Sequence, residues 1–271
     1  MVRSLWTAAT GMIAQQTNVD TIANNLANVN STGYKAEVAE FKSLLYQTIQ
    51  TKTTTANGAN KPIGAQVGLG VRNSAITSIF KQGSMLASES DTAFAITGEG
   101  FFALRGQDGE TYYTRNGNFL FTTAQNGMML ANSDGLPVLD TNGQPILLGT
   151  QYVASKIKVN ADGQLTYPDD QNNPQPIGIQ IGLYQFTNPS GLEKVDSTMY
   201  QASAASGAAI NEATNNNVRK SEVLQGYLEG SSVQVADEMV NLIVAQRAYE
   251  MNSKAITTTD EMMQQANQLK R

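Results

Sequence analysis

The sequence predicts an α+β protein: long N- and C-terminal helices packed as a coiled-coil stalk, with an inserted antiparallel all-β domain. Three observations carry this. Both ends repeat apolar residues with helical period, the middle breaks into short apolar runs between Asn-Gly and Asp-Gly turns, and small polar stretches separate the two patterns. The 271 residues divide into an N-terminal stalk helix at 1–33, a junction and extended arm at 34–75, a β-rich central domain at 76–200, a return linker at 201–230, and a C-terminal stalk helix at 231–271.

The N-terminal helix is read from Leu5, Ala9, Met12, Val19, Ala23 and Leu26; with Gln16 included, they step four and three in alternation. That is a heptad seam. Ser4 is placed to cap its start, and Asn28 to Gly33 supplies the turn chemistry that ends it, with a glycine suited to positive φ. Trp6, the single tryptophan, reads as packing surface between helices. The mildly apolar Ser4–Ala14 stretch is interrupted by Thr7 and Thr10 and runs into Gln15, so it does not read as a cleaved leader.

At the other end, Val235, Met239, Leu242, Tyr249, Ile256 and Met263 keep one register, with Gln246, Ser253 and Asp260 between them. No Pro or Gly interrupts Ser231 to Arg271, so a helix from about Ser232 to Leu269 is expected. At 1.5 Å per residue it spans roughly 55 Å, the length of a coiled-coil segment. Neither helix can bury its stripe alone, because packing more than propensity holds a helix in water. The stripes are also sparse: Ala8, Ala9, Ala23 and Ala27 are small, and Gln16, Asn24 and Asn25 carry amides. Such a stalk is expected to complete itself in an oligomer.

Between the helices, Asp108-Gly109, Asn116-Gly117, Asn126-Gly127, Asp134-Gly135, Asn142-Gly143 and Asp162-Gly163 punctuate runs such as Phe94–Ile96, Phe101–Leu104, Thr111–Thr114 and Phe119–Phe121. These are hairpin signals and point to an antiparallel sandwich or open barrel. Thr51–Gly70 and Ala202–Asn217 read, taken alone, as linkers. Lys35–Gln50, with Val38, Phe41, Leu44, Leu45 and Ile49, fits either an amphipathic helix or a long hairpin arm.

Composition narrows the function. The chain has no His and no Cys, which removes the usual general base, thiol nucleophiles and most transition-metal sites. Its net charge of −5 argues against nucleic acid, and no apolar run is long enough for a membrane helix. Gly98-Glu-Gly100 lacks the third glycine and following helix of a dinucleotide site and reads as a close approach in a sheet. Gly64, Gly68 and Gly70 lack the Lys of a phosphate loop. Asn132, Asp134, Asp140 and Asn142 read as turns, without the spacing of a calcium loop. Asn30-Ser31-Thr32 reads as turn chemistry, not as a glycosylation acceptor. Nothing marks any pair among Asp91, Glu99, Glu110, Asp169 and Asp170 as a convergent carboxylate dyad. No catalytic, cofactor or metal residue is expected. A hydrolase and a β-domain adhesin on a coiled-coil stalk remain as alternatives; the adhesin lacks the exposed tryptophans usual on a sugar-binding face.

Several segments together resemble the flagellar axial rod and hook proteins, most nearly the distal-rod branch of that family. They are Ile22-Ala-Asn-Asn-Leu-Ala-Asn-Val29 with Thr32-Gly-Tyr-Lys35, Phe41-Lys-Ser-Leu-Leu-Tyr-Gln47, Ile96-Thr-Gly-Glu-Gly-Phe-Phe102, Tyr113-Thr-Arg-Asn-Gly-Asn-Phe119, Gln225-Gly-Tyr-Leu-Glu-Gly-Ser-Ser-Val233 and Ala245-Gln-Arg-Ala-Tyr-Glu-Met-Asn-Ser-Lys254. Gly230 and Ser231 depart from the family pattern, and Asp108–Pro176 matches it loosely. The resemblance implies a structural subunit of a bacterial flagellar basal-body rod outside the cytoplasmic membrane. It would polymerise into a rigid hollow helical tube that transmits torque from motor to hook; a proximal rod or hook-type subunit is the near alternative.

It implies further that the Thr51–Gly70 arm is ordered against neighbouring subunits, and that the stalk helices, needing neighbours, are disordered in the monomer and fold on assembly. The implied partners are further copies, other axial rod proteins and the hook protein, the type III export apparatus, and ring bushings where an outer membrane is present. On this reading Leu5, Trp6, Ala9, Met12, Leu26, Met239, Leu242, Tyr249, Ile256 and Met263 line inter-helix seams, the amides of Asn24, Asn25, Asn28 and Gln246 set register, and Tyr34, Phe41, Leu45 and Tyr46 dock the junction.

Overall fold

The computed structural model describes residues 2–50, 64–124, 127–169, 171, 173–215 and 217–269. They fall into two compact units: one of residues 1–27, 37–78 and 234–271, the other of 28–36 and 79–233.

The first unit holds helix α1 (Val2–Ala27), strands β1 (Glu37–Ser43), β2 (Tyr46–Gln50), β3 (Ala65–Gly68) and β4 (Val71–Ser78), and helix α2 (Val235–Gln268). Helix α1 already includes Ser4, so this serine lies within the first turn and does not cap it. Helix α2 runs for 34 residues, with Asp237 and Glu238 in its first turn. Carboxylates there complement the partial positive charge of the exposed N–H groups. Ser232, expected at the helix start, lies before it.

The helices pack on one another, and β1 and β4 lie along α1. At Gly11 the approach is close: a Cβ there would sit 2.9 Å from the Asn252 amide of α2. Strands β1 and β4 are antiparallel from Glu37 opposite Ser78 to Ser43 opposite Val71, with a bulge at Glu40–Phe41. Strands β2 and β3 form a second antiparallel pair. The Lys35–Gln50 segment is thus a strand arm and not a helix. Its bulge breaks the alternation that would have marked a strand, which is why period alone left it open. Most of the Thr51–Gly70 arm, residues 51–63, lies outside the described residues.

The second unit is built of short strands. In chain order they are β5 (Met85–Ala87), β6 (Phe94–Thr97), β7 (Phe101–Arg105), β8 (Thr111–Thr114), β9 (Leu120–Ala124), β10 (Gly127–Ala131), β11 (Leu147–Leu148) and β12 (Lys158–Val159). There follow β13 (Gln164–Pro168), β14 (Pro174–Gln180), β15 (Leu183–Gln185), β16 (Glu193–Lys194), β17 (Met199–Gln201), β18 (Ile210–Asn211), β19 (Glu222–Gln225) and β20 (Tyr227–Glu229). The largest sheet has the order β16-β17-β8-β7-β15-β18; β11-β10-β9 and β12-β13-β14 form smaller sheets, and β19 pairs with β6 and β20 with β5. Every one of these pairings is antiparallel.

Strand β7 organises the core. Phe102 and Leu104 belong to one apolar cluster, with Ile96, Phe119, Leu130, Val138 and Ile181. Phe101 and Ala103 belong to another, with Tyr113, Leu139, Phe186 and Tyr200. Alternate side chains leave a strand on opposite faces. A strand buried on both faces therefore reads as an unbroken apolar run, and Phe-Phe-Ala-Leu is that run.

The turns divide by role. Asp108-Gly109 joins β7 to β8 and Asp162-Gly163 joins β12 to β13 as hairpins, each glycine at positive φ. Asn116-Gly117 makes no hairpin: β8 pairs with β7 and β17, and the Gly117 carbonyl accepts the Phe94 N–H at 3.0 Å. A Cβ at Gly117 would run into the Phe94 carbonyl oxygen, so glycine there serves a close approach. Asn126 lies outside the described residues. The 201–230 stretch, expected as a return linker, carries β18, β19 and β20. Its strands hold too few apolar residues to show a period.

Candidate assembly surface

In the first unit one side chain joins three elements. Asn25, 1% exposed, donates from Nδ2 to the Glu37 carbonyl at 2.8 Å and accepts the Glu37 N–H on Oδ1 at 2.9 Å. It thereby serves β1 as a neighbouring strand would, while Nδ2 also donates to Glu238 Oε1 of α2 at 3.2 Å. Burial holds the Glu238 carboxyl above its usual range, against the pull of the Asn25 amide. Beside it, Asn24 is exposed and donates to Glu37 Oε2 at 3.2 Å. Asn25→Ala leaves both backbone groups of Glu37 and one carboxylate oxygen without this partner. A loss of about 2–3 kcal/mol is expected, read as an earlier helical unfolding transition in urea by circular dichroism.

Along α1 the buried positions are Ala8, Ala14, Thr21, Ile22 and Asn25. Leu5, Ala9, Met12 and Leu26 are half-buried, and Gln16 and Ala23 are exposed. On α2, Ala245 and Thr259 are buried and Glu238, Leu242, Ala248, Asn252, Ser253, Ile256 and Met263 half-buried. The covered face therefore runs through Leu242, Ala245, Asn252, Ile256, Thr259 and Met263. Between Leu242, Ile256 and Met263 sit the buried Ala245 and Thr259, next to the exposed Gln246 and Asp260, and the half-buried pair Asn252 and Ser253. Small side chains at these places let the helices approach closely.

The remaining seam candidates face outward in the single chain. Met239 is 53% exposed and Tyr249 42%; Gln246 is also exposed, and Trp6 is 68% exposed on α1. On the arm, Phe41, Leu45 and Tyr46 are exposed, Leu45 the most. Two candidates belong to the second unit: Asn28 is half-buried and Tyr34 fully buried, with Lys194 Nζ 4.7 Å from the Tyr34 ring centre.

Other exposed apolar residues were not singled out from the sequence. Val240, Ile243, Val244, Met251 and Met262 are all exposed on α2. At 3.6 residues per turn Val240, Ile243 and Met251 lie on the side of α2 away from its covered face, with Val244 and Met262 on its flank. Ile13 joins Trp6, seven residues away, on the outer side of α1. The signal was present: Leu242-Ile243-Val244 puts consecutive apolar residues around a helix, which a single heptad seam does not need. A helix apolar on two faces is normally buried on two faces. No described helix is long and apolar enough to cross a membrane.

Comparison with known proteins finds matches along the chain. Residues 5–35 match the family model described as flagella basal body rod protein, 95–167 the flagellar hook protein FlgE/F/G D1 domain, and 224–269 the flagellar basal body rod FlgEFG protein C-terminal region. Flagellar basal-body rod protein FlgG of Borreliella burgdorferi is 43% identical over the full length of both chains. FlgG of Caulobacter vibrioides is 40% identical over 99% of this chain and all of its own, and FlgG of Bacillus subtilis 36% over the whole of both. With likeness of that degree over its whole length, the chain belongs to the FlgG family of flagellar basal-body rod proteins.

Proposed function

We propose that copies of this rod subunit stack head to tail through their terminal helices into a rigid hollow tube, the distal rod, which carries torque from motor to hook. The observation that carries this is the second apolar face of α2. Val240, Ile243 and Met251 lie exposed on the side away from the face that packs within the chain, and Val244 and Met262 lie exposed on its flank. Burying each of them against a neighbour contributes about 1.5–3 kcal/mol. Repeated along a polymer, a modest seam gives stiffness without covalent bonds. On this reading the free face of one copy meets a different face of the next, a heterologous contact, and one that does not close yields a filament.

In the tube the two helices form coiled-coil layers toward the axis, with Leu5, Met12, Leu242, Ile256 and Met263 inside each subunit and Trp6, Met239 and Tyr249 turned to neighbours. Phe41, Leu45 and Tyr46 seat the arm on adjacent copies. The role is mechanical and non-catalytic. Its partners are other axial proteins and the hook, with delivery by the type III export apparatus and ring bushings around the shaft where an outer membrane exists. Light scattering and electron microscopy of purified protein across a concentration series test the reading. Monomer giving way to filament is expected; a discrete closed trimer, the state of a stalked adhesin, would overturn it.

A further inference from the structure

Three charged side chains of the second unit are almost wholly withdrawn from water: Lys35 at 0%, Arg115 at 3% and Glu229 at 1% exposure. Glu229 Oε1 lies 2.6 Å from Lys35 Nζ, and Oε2 lies 3.4 Å from Arg115 Nη1. One carboxylate thus faces two cations. Glu229 Oε1 also accepts the Gly83 N–H at 2.8 Å, while Lys35 Nζ donates to the Lys81 carbonyl at 2.8 Å and Arg115 Nη2 to the Gly98 carbonyl at 2.7 Å. Burial lowers the Lys35 and Arg115 pKa values, and Glu229 opposes the fall in both. More distant Glu212 and Glu99 add to its pull on Arg115. Assembly does not require such a cluster. Hydrophobic side chains would fill the space at no greater cost in stability.

Its position suggests what it does. The second unit continues into the rest of the chain at residues 28, 36, 79 and 233. The segments at these ends are laced together around the cluster. The Ile79 N–H donates to the Ala36 carbonyl at 2.8 Å, Ala36 N–H to Ser232 Oγ at 2.9 Å and Ser232 N–H to the Tyr34 carbonyl at 3.1 Å. The Gly33 N–H donates to the Glu229 carbonyl at 2.8 Å, and Gly230 N–H to the Ser84 carbonyl at 2.7 Å. Glu229 therefore touches the 28–36 segment through its backbone and its carboxylate, and the 79–84 segment through its carboxylate. The main apolar clusters, centred on β7, include no residue of 28–36.

We propose that Glu229 is the keystone of this junction: its single charge lets the 28–36, 79–84 and 229–233 segments dock together, and without it they come apart while the β7-centred core stays folded. Of the two cations, Lys35 has Glu229 as its ion-pair partner, and Arg115 has Glu229 nearest and Glu212 and Glu99 farther off. The segments that lead to α1, to the arm and to α2 are then fixed relative to one another within this unit.

The test is residue-resolved hydrogen exchange on the purified full-length chain, kept below its assembly concentration so that the outcome does not depend on polymerisation. In Glu229→Gln the side chain keeps its size and loses its charge. Protection at Gly33, Ile79, Gly83, Gly230 and Ser232 is expected to fall by about 100-fold, with the β7 and β8 amides of Ala103, Leu104 and Tyr113 little changed. Lys35→Met leaves Arg115 and Glu229 as a balanced pair and is expected to lower the same amides by only about tenfold. This variant carries the test if Glu229→Gln fails to fold. Wild-type protection at the junction in either variant would overturn the proposal, as would an equal fall at the core amides or a larger loss in Lys35→Met than in Glu229→Gln.

Discussion

Ile243→Asp is expected to abolish filament formation while leaving both units folded. Ile243 is 57% exposed on the outer side of α2, so a carboxylate there meets water in the single chain and costs it little. In a polymer the same position loses its apolar burial and buries an unpaired charge. Together these exceed about 3 kcal/mol per contact, a rise of more than about 100-fold in the concentration needed to assemble. Sedimentation measures that concentration, and circular dichroism checks the helices. Leu242→Asp should behave differently. Leu242 is half-buried on the covered side, so its variant also loosens α1 from α2 and is expected to lose helical stability as well as assembly. The two variants, one residue apart, separate packing within the chain from packing between copies.

Gly33→Val is expected to destabilise the second unit by about 3–5 kcal/mol, roughly a 10 °C fall in its melting temperature. Gly33 sits at φ 71°, a conformation that a β-branched residue adopts only under strain. Space is lacking as well: a Cβ would lie 2.5 Å from the Asn116 backbone nitrogen and 2.7 Å from the Arg115 carbonyl carbon. The flanking Thr32 Oγ1 donates to Asn116 Oδ1 at 2.8 Å, so the loop has little room to retreat. Gly109→Ala is the control. It shares the left-handed backbone, at φ 84°, but nothing lies near the added carbon, and about 1 kcal/mol is expected. Calorimetry on both variants decides the matter; equal melting temperatures would mean that the crowding at Gly33 is not felt.

What could be read in the sequence was whatever is local. Phe-Phe-Ala-Leu and Asp108-Gly109 declare a doubly buried strand and its hairpin, and Asn28 to Gly33 declares the end of α1. The arm resisted because a bulge at Glu40–Phe41 breaks its alternation. On α2, a repeat scored on large apolar residues passes over the buried Ala245 and Thr259. These two are covered because they are small. The outer face was legible in Leu242-Ile243-Val244 but was absorbed into a single stripe. The Lys35–Arg115–Glu229 cluster was not legible as a cluster. Its members lie 80 and 114 residues apart along the chain, and although each falls in a segment that resembles the family, nothing local shows that the three charges meet.

The most direct measurement is a cryo-electron microscopy map of filaments grown from the purified chain, at a resolution that places side chains on α2. Val240, Ile243, Val244 and Met251 are expected to be buried against a helix of the adjacent copy. A filament in which that face lines open solvent, with the contacts made by the strand-rich unit instead, would contradict the account.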